Sequence, residues 1–230
     1  MNKLKISKEE LILNELNNQN DWDELSSKYE LTENLIDEFA NKVNWIYISK
    51  YQKLSTKFII KYKDKVDFNF ICRYQFITNE FIDYFYDKIK WDILSINKSL
   101  TEELINKYKD KLSWNLMSHY QNLSENFMIK YQDRLDWNNV SWFQHLSEFF
   151  MDKFSNKINW SHISRNQKLS ESFIRKYQDK VDWNLICINQ QLSENFILEF
   201  KDKVSWDLIF TCQNLSRKFK IKYQHFTKKI

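Results

Sequence analysis

Small hydroxyl and thiol side chains recur along this 230-residue chain and could supply a nucleophile. Members of this row are separated by 23 residues or multiples of 23: Ser26, Ser49, Cys72, Ser95, Ser118, Ser141, Ser164 and Cys187. Nucleophilic catalysis by serine or cysteine needs a histidine or another base within hydrogen-bond reach. No histidine or acidic residue is paired with the row in register. We interpret the row as a requirement for small side chains between packed helices.

Metal ligation and cofactor binding find no support in the residue spacing. No two histidines share a position in the 23-residue period, and no cysteine lies at metal-ligand spacing from another. The residues concerned are His119, His145, His162, His225, Cys72, Cys187 and Cys212. The chain has no glycine, which excludes the glycine-rich loops that hold phosphate groups. We predict no catalytic, cofactor-binding or metal-binding residue, no cofactor, and a protein that is not an enzyme.

The composition favours helices and points to an AT-rich genome. Glycine and proline are both absent, whereas average usage would give about 16 and about 11 residues. Alanine occurs once, at Ala40. These three amino acids use GC-rich codons, so an AT-rich coding sequence explains their scarcity. Tight hairpins that need glycine are excluded as well.

Tryptophan spacing shows how the chain is organised. One aromatic position recurs every 23 residues without insertion or deletion: Trp22, Trp45, Phe68, Trp91, Trp114, Trp137, Trp160, Trp183 and Trp206. We call it position one of nine repeats. Only Trp142 lies outside the row. Positions four, ten, fourteen and eighteen are apolar or aromatic in every copy. A fixed period of this length is typical of solenoid repeats.

Each repeat predicts two short helices. Positions one, four, five and eight follow the spacing of one helix face, and eight copies have Asp, Asn or Ser before position one as a cap, with Lys90 the exception. A second helix follows the Ser or Thr of position eleven, and we expect helix ends to use Asn, Asp or Lys in place of glycine. Helices of about eight to ten residues are unstable alone. The repeats must therefore stack, with tryptophan in the core, into an all-α solenoid of nine helix-turn-helix repeats.

The ends of the array predict caps within a single domain. Residues 1–20 read as an N-terminal capping helix, because Ser7 and Glu10 form a capping-box pattern. Residues 21–215 hold the solenoid repeats. Residues 216–230 read as a degenerate basic C-terminal cap, where Lys220 and Phe226 replace the usual Ile and Lys. A polar terminal repeat keeps an open stack soluble.

The repeated phrase W…L-S-E-x-F-I-x-K-Y-x-D-K-V-D-W covers about residues 21–226. It resembles the short two-helix repeat arrays of AT-rich large DNA viruses and phages. The resemblance implies a viral interaction protein, directed at a host factor and acting in the host cell. It implies no activity and no site residue.

Function in a solenoid is expected where the repeats differ. Positions three, six and seven of the first helix lie off the apolar stripe and carry aromatic and basic residues, the types found at binding hot spots. We predict that a partner docks across repeats two to seven on Tyr47, Tyr51, Phe70, Arg73, Tyr74, His119, Tyr120, Trp142, Phe143, His162 and Arg165. Position six, with Arg73 and Trp142, should be the most exposed. The alternative is that positions three and seven only widen the contact between layers.

These residues predict a non-catalytic repeat scaffold that binds a protein partner. The alternative is single-stranded nucleic acid, with rings of position seven stacking on bases and a lysine row or the basic tail on phosphates. The lysine row is Lys61, Lys107, Lys130, Lys153, Lys176 and Lys222. An Asp three residues on in most copies could pair with each lysine, which favours a solvated face. A structural or assembly role is the third possibility.

Position eight is glutamine in seven copies, which predicts either a hydrogen-bond ladder along the stack or a polar recognition strip. We favour the ladder, because a row of identical amides can bond from one layer to the next.

Charge and hydropathy give the remaining expectations. The net charge is +4, but six of the 35 basic residues lie in residues 216–230, where no acidic residue occurs. The rest of the chain is near neutral and gives little support to nucleic-acid binding. Apolar runs are too short to cross a membrane, residues 1–19 carry no secretory signal, and three cysteines make no disulfide framework. We expect a cytoplasmic monomer with no membrane partner.

Overall fold

The computed structural model describes residues 22–227. These residues form eighteen α-helices and no strand, so the predicted all-α solenoid architecture is confirmed. The predicted capping helix of residues 1–20 lies outside the described residues.

Each repeat contributes two helices, and we number them so that odd labels mark the first helix of a repeat. The first helices are α1 (Trp22–Lys28), α3 (Trp45–Tyr51), α5 (Phe68–Tyr74), α7 (Trp91–Ser95), α9 (Trp114–Tyr120), α11 (Trp137–Phe143), α13 (Trp160–Asn166), α15 (Trp183–Asn189) and α17 (Trp206–Cys212). The second helices are α2 (Glu33–Glu38), α4 (Thr56–Lys61), α6 (Asn79–Phe85), α8 (Glu102–Lys107), α10 (Glu125–Lys130), α12 (Glu148–Lys153), α14 (Glu171–Lys176), α16 (Glu194–Glu199) and α18 (Arg217–Tyr223). Single 3₁₀ turns follow α6 at Tyr86–Lys88 and α18 at Gln224–Phe226.

The chain divides into two compact units, residues 1–121 and 122–230. The described part of the first unit holds α1 to α9. Its first helices pack on one another in chain order from α1 to α9. The second unit holds α10 to α18, and its first helices pack in the same way from α11 to α17. Stacking of each repeat on the next is the defining contact of an α-solenoid.

The helices begin where the sequence predicts but are shorter than expected. They run for five to seven residues rather than eight to ten. The position-eleven hydroxyl caps every second helix; Ser170, for example, accepts from the backbone N–H of Phe173 at 3.1 Å. Asn or Asp caps most first helices, whereas Ser205 and Lys90 make no side-chain cap bond.

The expectation that Asn, Asp or Lys would end the helices in place of glycine is wrong, because most C-cap residues are Gln, Tyr or Phe. No residue between 22 and 227 has a positive φ. In most second helices the C-cap is the residue at position eighteen, with φ near −110° and ψ near 25°, as at Tyr62 (−111° and 27°). This conformation is accessible to any residue, so the chain ends its helices without glycine.

Aliphatic and phenylalanine side chains form the core, while the tryptophans lie at its rim. Ile48 and Ile163 at position four are fully buried. The tryptophans are only half-buried, which corrects the prediction that position one is a core site. The reason is the indole N–H, which needs a polar partner. Trp160 donates to the carbonyl of Ser155 at 3.0 Å, and its ring lies 4.6 Å from that of Tyr177.

Buried glutamines of position eight join successive repeats. The side-chain oxygen of Gln190 accepts from the backbone N–H of Leu169 at 3.0 Å. Its amide nitrogen donates to the carbonyls of Ser164 at 3.1 Å and Gln167 at 2.8 Å. The same three bonds recur at Gln52, Gln75, Gln167 and Gln213. The row is therefore the predicted ladder and not a recognition strip.

Candidate binding cleft

The predicted partner-binding residues fall into an exposed set and a half-buried set. Position seven is the exposed one: Tyr51 and Tyr74 are each 48% exposed, Phe143 42% and Tyr120 38%. Position three is half-buried at Tyr47, Phe70 and His162. Its rings pack against those of position seven, with 5.9 Å between the centroids of Tyr47 and Tyr51 and 6.1 Å between Phe70 and Tyr74. His119, at position six, lies half-buried beside Tyr120, with ring centroids 4.1 Å apart. The side chains of position three therefore pack against the exposed rings of position seven and help to hold them in place.

Trp142 is not the most exposed residue of the strip, contrary to prediction. It is half-buried in the second unit. The ring of His162 meets it edge-on at 4.7 Å, and the guanidinium carbon of Arg165 lies 5.3 Å from the Trp142 ring centroid. Both partners come from the next repeat, because position six leans towards the following layer. Arg73 and Arg165 at the same position are exposed.

Four predicted residues meet in one open cleft of the first unit. Tyr51, Arg73, Tyr74 and Tyr120 line a cleft of about 1100 Å³ at the ends of α3, α5, α7 and α9. Sequence reasoning missed Lys50, Lys53, Phe76, Ile96, Asn97, Lys98 and Ser99, which line it as well. We name this cleft, to which Glu33 also contributes, the repeat-four cleft, because an irregularity of the fourth repeat forms it.

The irregularity is an inward-turned asparagine. Helix α7 ends at Ser95, two residues earlier than its counterparts, and Asn97 is only 2% exposed. Its amide nitrogen donates to the carbonyls of Cys72 at 2.8 Å and Gln75 at 2.9 Å. Position seven therefore has no outward ring in this repeat, and a gap separates the tyrosines of the repeats on either side.

Ser99 and Lys98 also differ from the residues of the regular repeats. In those repeats the backbone N–H equivalent to that of Ile77 donates to the side-chain oxygen of a glutamine. Here the backbone N–H of Ile77 donates to the hydroxyl of Ser99 at 3.0 Å. Lys98, at position eight, is released to the surface, where its ammonium contacts the carbonyl of Tyr120. A signal was present in the sequence, because Asn97-Lys98 stands where neighbouring repeats have Tyr-Gln.

Cations of the cleft lie against its tyrosines. The ammonium of Lys50 is 4.6 Å from the ring centroid of Tyr51, and the guanidinium carbon of Arg73 is 5.5 Å from that of Tyr74. A hydrogen bond with Tyr51 raises the pKa of Lys50. In the described part of the chain, Lys50, Arg73 and Lys98 form no ion pair. The cleft thus carries positive charge with little compensation.

The lysine row on the second helices is different, because carboxylates pair with it. The ammonium nitrogen of Lys107 lies 3.4 Å from a carboxylate oxygen of Asp83. In the same way, Lys61 pairs with Asp37, and Lys176 pairs with Asp152. The hydroxyl of Tyr108 and then the ammonium of Lys107 lower the pKa of Asp83. The carboxylate belongs to position sixteen of the preceding repeat, so the prediction that the Asp three residues on supplies it is wrong.

The serine and cysteine row is part of the packing. Ser164 donates to the carbonyl of Trp160 at 2.7 Å and accepts from the backbone N–H of Asp182 at 3.0 Å. Burial raises the pKa of the Cys72 and Cys187 thiols, which disfavours a thiolate nucleophile. Within residues 22–227 no three His, Cys, Asp or Glu side chains group as a metal site. In the same range, no helix has the length and hydropathy needed to span a bilayer.

No protein-family model, no curated protein and no solved structure matches the chain.

Proposed function

We propose that the protein is a non-catalytic repeat scaffold that binds a protein partner through the exposed ends of its first helices. The observation that carries this proposal is the repeat-four cleft, which combines exposed aromatic rings with three cations, Lys50, Arg73 and Lys98, that form no ion pair among the described residues. Aromatic and arginine residues dominate the energetics of protein interfaces. A concave surface allows a partner to bury such residues more completely than a flat one does.

The repeated polar residues support a scaffold rather than an enzyme. The buried serines of position five and the buried glutamines of position eight are used within the stack, where they bond to neighbouring backbone groups. What varies from repeat to repeat is the exposed ring and the cation beside it. The resemblance of the repeat phrase to viral repeat arrays makes a host protein the expected partner.

Single-stranded nucleic acid is the second candidate. Tyr51, Tyr74 and Tyr120 are exposed and come from separate repeats, as a stacking platform requires. However, cations of the chain already lie on the faces of Tyr51 and Tyr74. The lysine row that would contact phosphates is ion-paired at three described positions. A protein partner is therefore favoured.

The test is capture of partners on the immobilised protein from a lysate of the cells in which it occurs, with and without nuclease. We compare the wild type with Tyr74→Ala/Phe76→Ala, which removes two exposed rings of the cleft. The matched control is Asn189→Ala/Gln191→Ala, which changes the same two repeat positions in the second unit. We expect the wild type and the control to retain the same nuclease-resistant protein and the cleft variant to lose it.

Two outcomes would contradict the proposal. Recovery that depends on nucleic acid would favour the second candidate. Equal recovery by the cleft variant would show that the cleft is not the docking surface.

A further inference from the structure

We propose that the repeat-four cleft binds an acidic peptide segment in an extended conformation, with one apolar side chain of that peptide filling the gap at repeat four. This inference rests on the proposed function, because it names the chemistry of the partner at the same site. Geometry, charge and the arrangement of the rings each support it.

The gap provides the apolar subsite. Because Asn97 turns inward, the rings of Tyr74 and Tyr120 flank a repeat that has no ring at position seven. Phe76 is 69% exposed beside it, and half-buried Ile96 adds aliphatic surface. A large apolar side chain placed here would cover the exposed phenylalanine and contact both tyrosines. Burying such a side chain removes apolar surface from water, which favours the complex.

The charges around the gap determine the rest of the occupant. Lys50 and Arg73 lie on one side of the gap and Lys98 lies within the irregular repeat. Each is available for a carboxylate, since none forms an ion pair in the described residues. The fourth cation, Lys53, is paired with Glu30 at 2.9 Å. Charge-assisted hydrogen bonds to carboxylates are stronger than neutral ones, so an acidic segment complements the cleft.

Among the described residues one carboxylate lines the cleft, and it is already hydrogen-bonded within the fold. Glu33 accepts from the backbone N–H of Ser55 and from its hydroxyl, and so clamps the next repeat. It therefore offers little to a basic ligand. A basic segment would also meet the three cations described above.

The positions of the cations favour peptide carboxylates over a stacked nucleic acid. Base stacking needs uncovered ring faces, whereas Lys50 and Arg73 each lie against a tyrosine. These cation–π contacts hold the charges at the mouth of the cleft. Their ammonium and guanidinium groups can still donate to a ligand.

The length of the segment follows from the repeats. Repeats two to five are separated by three layer spacings of about 8–10 Å, which gives about 30 Å. An extended chain advances about 3.3 Å per residue, so about nine residues cross the cleft.

The experiment is isothermal titration calorimetry of the full chain with a synthetic peptide of about nine residues. The peptide consists of glutamates around a central phenylalanine and has blocked ends. Three comparison ligands are its lysine counterpart, the same acidic peptide with central alanine, and an oligothymidylate of similar length. We expect the phenylalanine peptide to bind most tightly and the alanine peptide to bind at least ~10-fold more weakly. The lysine peptide and the oligothymidylate should show no binding.

The decisive variant is Asn97→Tyr/Lys98→Gln. It restores the Tyr-Gln pair of neighbouring repeats, so it should fold, and it places a ring in the gap. We expect at least ~10-fold weaker peptide binding, with a helical circular dichroism spectrum like that of the wild type. Lys98→Gln alone, which leaves the gap open, should lose less affinity.

A charge variant has a matched control. Arg73→Glu should weaken binding of the acidic peptide at least ~10-fold. Lys168→Glu makes the same change of charge at an exposed residue of the second unit, outside the predicted strip, and should leave binding unchanged.

The outcomes separate this inference from the proposed function. Failure of the acidic peptide to bind, or unchanged binding by the gap-filling variant, would overturn the acidic occupant. If the cleft variant still lost its nuclease-resistant protein in the lysate experiment, the scaffold function would stand without it. Tighter binding of the oligothymidylate than of the peptide, lost on filling the gap, would overturn both.

Discussion

The side-chain amide of Asn97 donates to the backbone carbonyl of Gln75 at 2.9 Å, and the longer amide of Gln213 makes the same bond to Gln190 at 2.7 Å. An asparagine one position earlier thus replaces a glutamine in the ladder. The ladder continues through the irregular repeat, and Gln121 in turn donates to the carbonyl of Asn97 at 2.9 Å. The first unit therefore opens a cleft on its surface without leaving these buried carbonyls unpaired.

Replacing a ladder glutamine by leucine should be strongly destabilising. In Gln167→Leu, the backbone N–H of Leu146 and the carbonyl of Gln144 lose their partners while they stay buried. An unsatisfied buried group costs about 1–3 kcal/mol, so we expect a loss of about 3 kcal/mol in the free energy of unfolding. Urea titrations measure it. The control is the neighbouring exposed Lys168→Ala, expected to change stability by less than about 0.5 kcal/mol. Equal losses would show that the ladder contributes nothing specific.

Two substitutions at one tryptophan should separate its hydrogen bond from its packing. Trp160→Phe keeps a ring that can pack against Tyr177, in the same way that Phe68 packs against Phe85 in its own repeat. The variant loses the hydrogen bond from the indole N–H to the carbonyl of Ser155. We expect a cost of about 1 kcal/mol. Trp160→Ala loses the ring too and should cost about 3 kcal/mol, the lower end of the range for core aromatics, because the site is half-buried. Equal costs for the two variants would contradict this division.

The buried thiols should make the folded state less stable in alkali. Burial raises the pKa of Cys72 and Cys187, so the folded protein keeps protons that the unfolded chain releases. The contribution of the protonated thiols to the free energy of unfolding is fully present below the ordinary thiol pKa of about 8.5. It is lost as the pH rises through the higher pKa of the folded state. Cys72→Ser/Cys187→Ser should therefore lose stability less steeply above about pH 8.5 than the wild type. Parallel curves from denaturant titrations would contradict the expectation.

The same cysteines should be protected from modification. In native protein, a thiol reagent should reach the exposed Cys212 rapidly and the buried Cys72 and Cys187 only after unfolding. Mass spectrometry of the labelled peptides identifies the site. Rapid labelling of either buried cysteine would show that its repeat opens readily.

The ion pair between Asp152 and Lys176 should matter only above the acid range. Hydrogen bonds from Lys176 and Tyr177 lower the pKa of Asp152. The ionised carboxylate of Asp152 therefore stabilises the folded protein above the ordinary carboxyl pKa of about 4. This stabilisation is lost as the pH falls through the lower pKa of the folded state. Asp152→Asn should be slightly less stable than the wild type at neutral pH and equally stable in acid. A gap that persists in acid would indicate an effect other than charge.

Most of the fold could be predicted from the sequence, because the repeat multiplies each local signal ninefold. Caps at Ser170 and its equivalents, and the apolar positions, follow from rules that act within a few residues. The half-buried tryptophans could not be placed in the same way. Their depth depends on the bond from the indole to the preceding turn, as Trp160 makes to Ser155, and spacing alone does not show it.

The candidate site was only partly predictable. Exposed rings at Tyr51 and Tyr74 follow from the variable strip, but the cleft arises from an absence at Asn97. A search for aromatic and basic residues at the variable positions finds the repeats that carry such residues. It does not find the fourth repeat, where position seven lacks a ring. The carboxylate partners of the lysine row were missed for a related reason, because Asp83 and Lys107 lie in different repeats.

The glutamine ladder gives the stack a direction. The side chain of Gln190 belongs to the eighth repeat, but the groups it satisfies are the backbone of the seventh. Loss of the later repeat from such an interface leaves buried peptide groups without the glutamine side chain. Loss of the earlier repeat frees that amide side chain and the exposed backbone N–H of Ser193, both of which water can solvate. Separating the two repeats of an interface is therefore more costly for the earlier repeat than for the later one. If the array grew by duplication at its C-terminal end, each new copy would supply the glutamine that satisfies the buried backbone groups of the repeat before it.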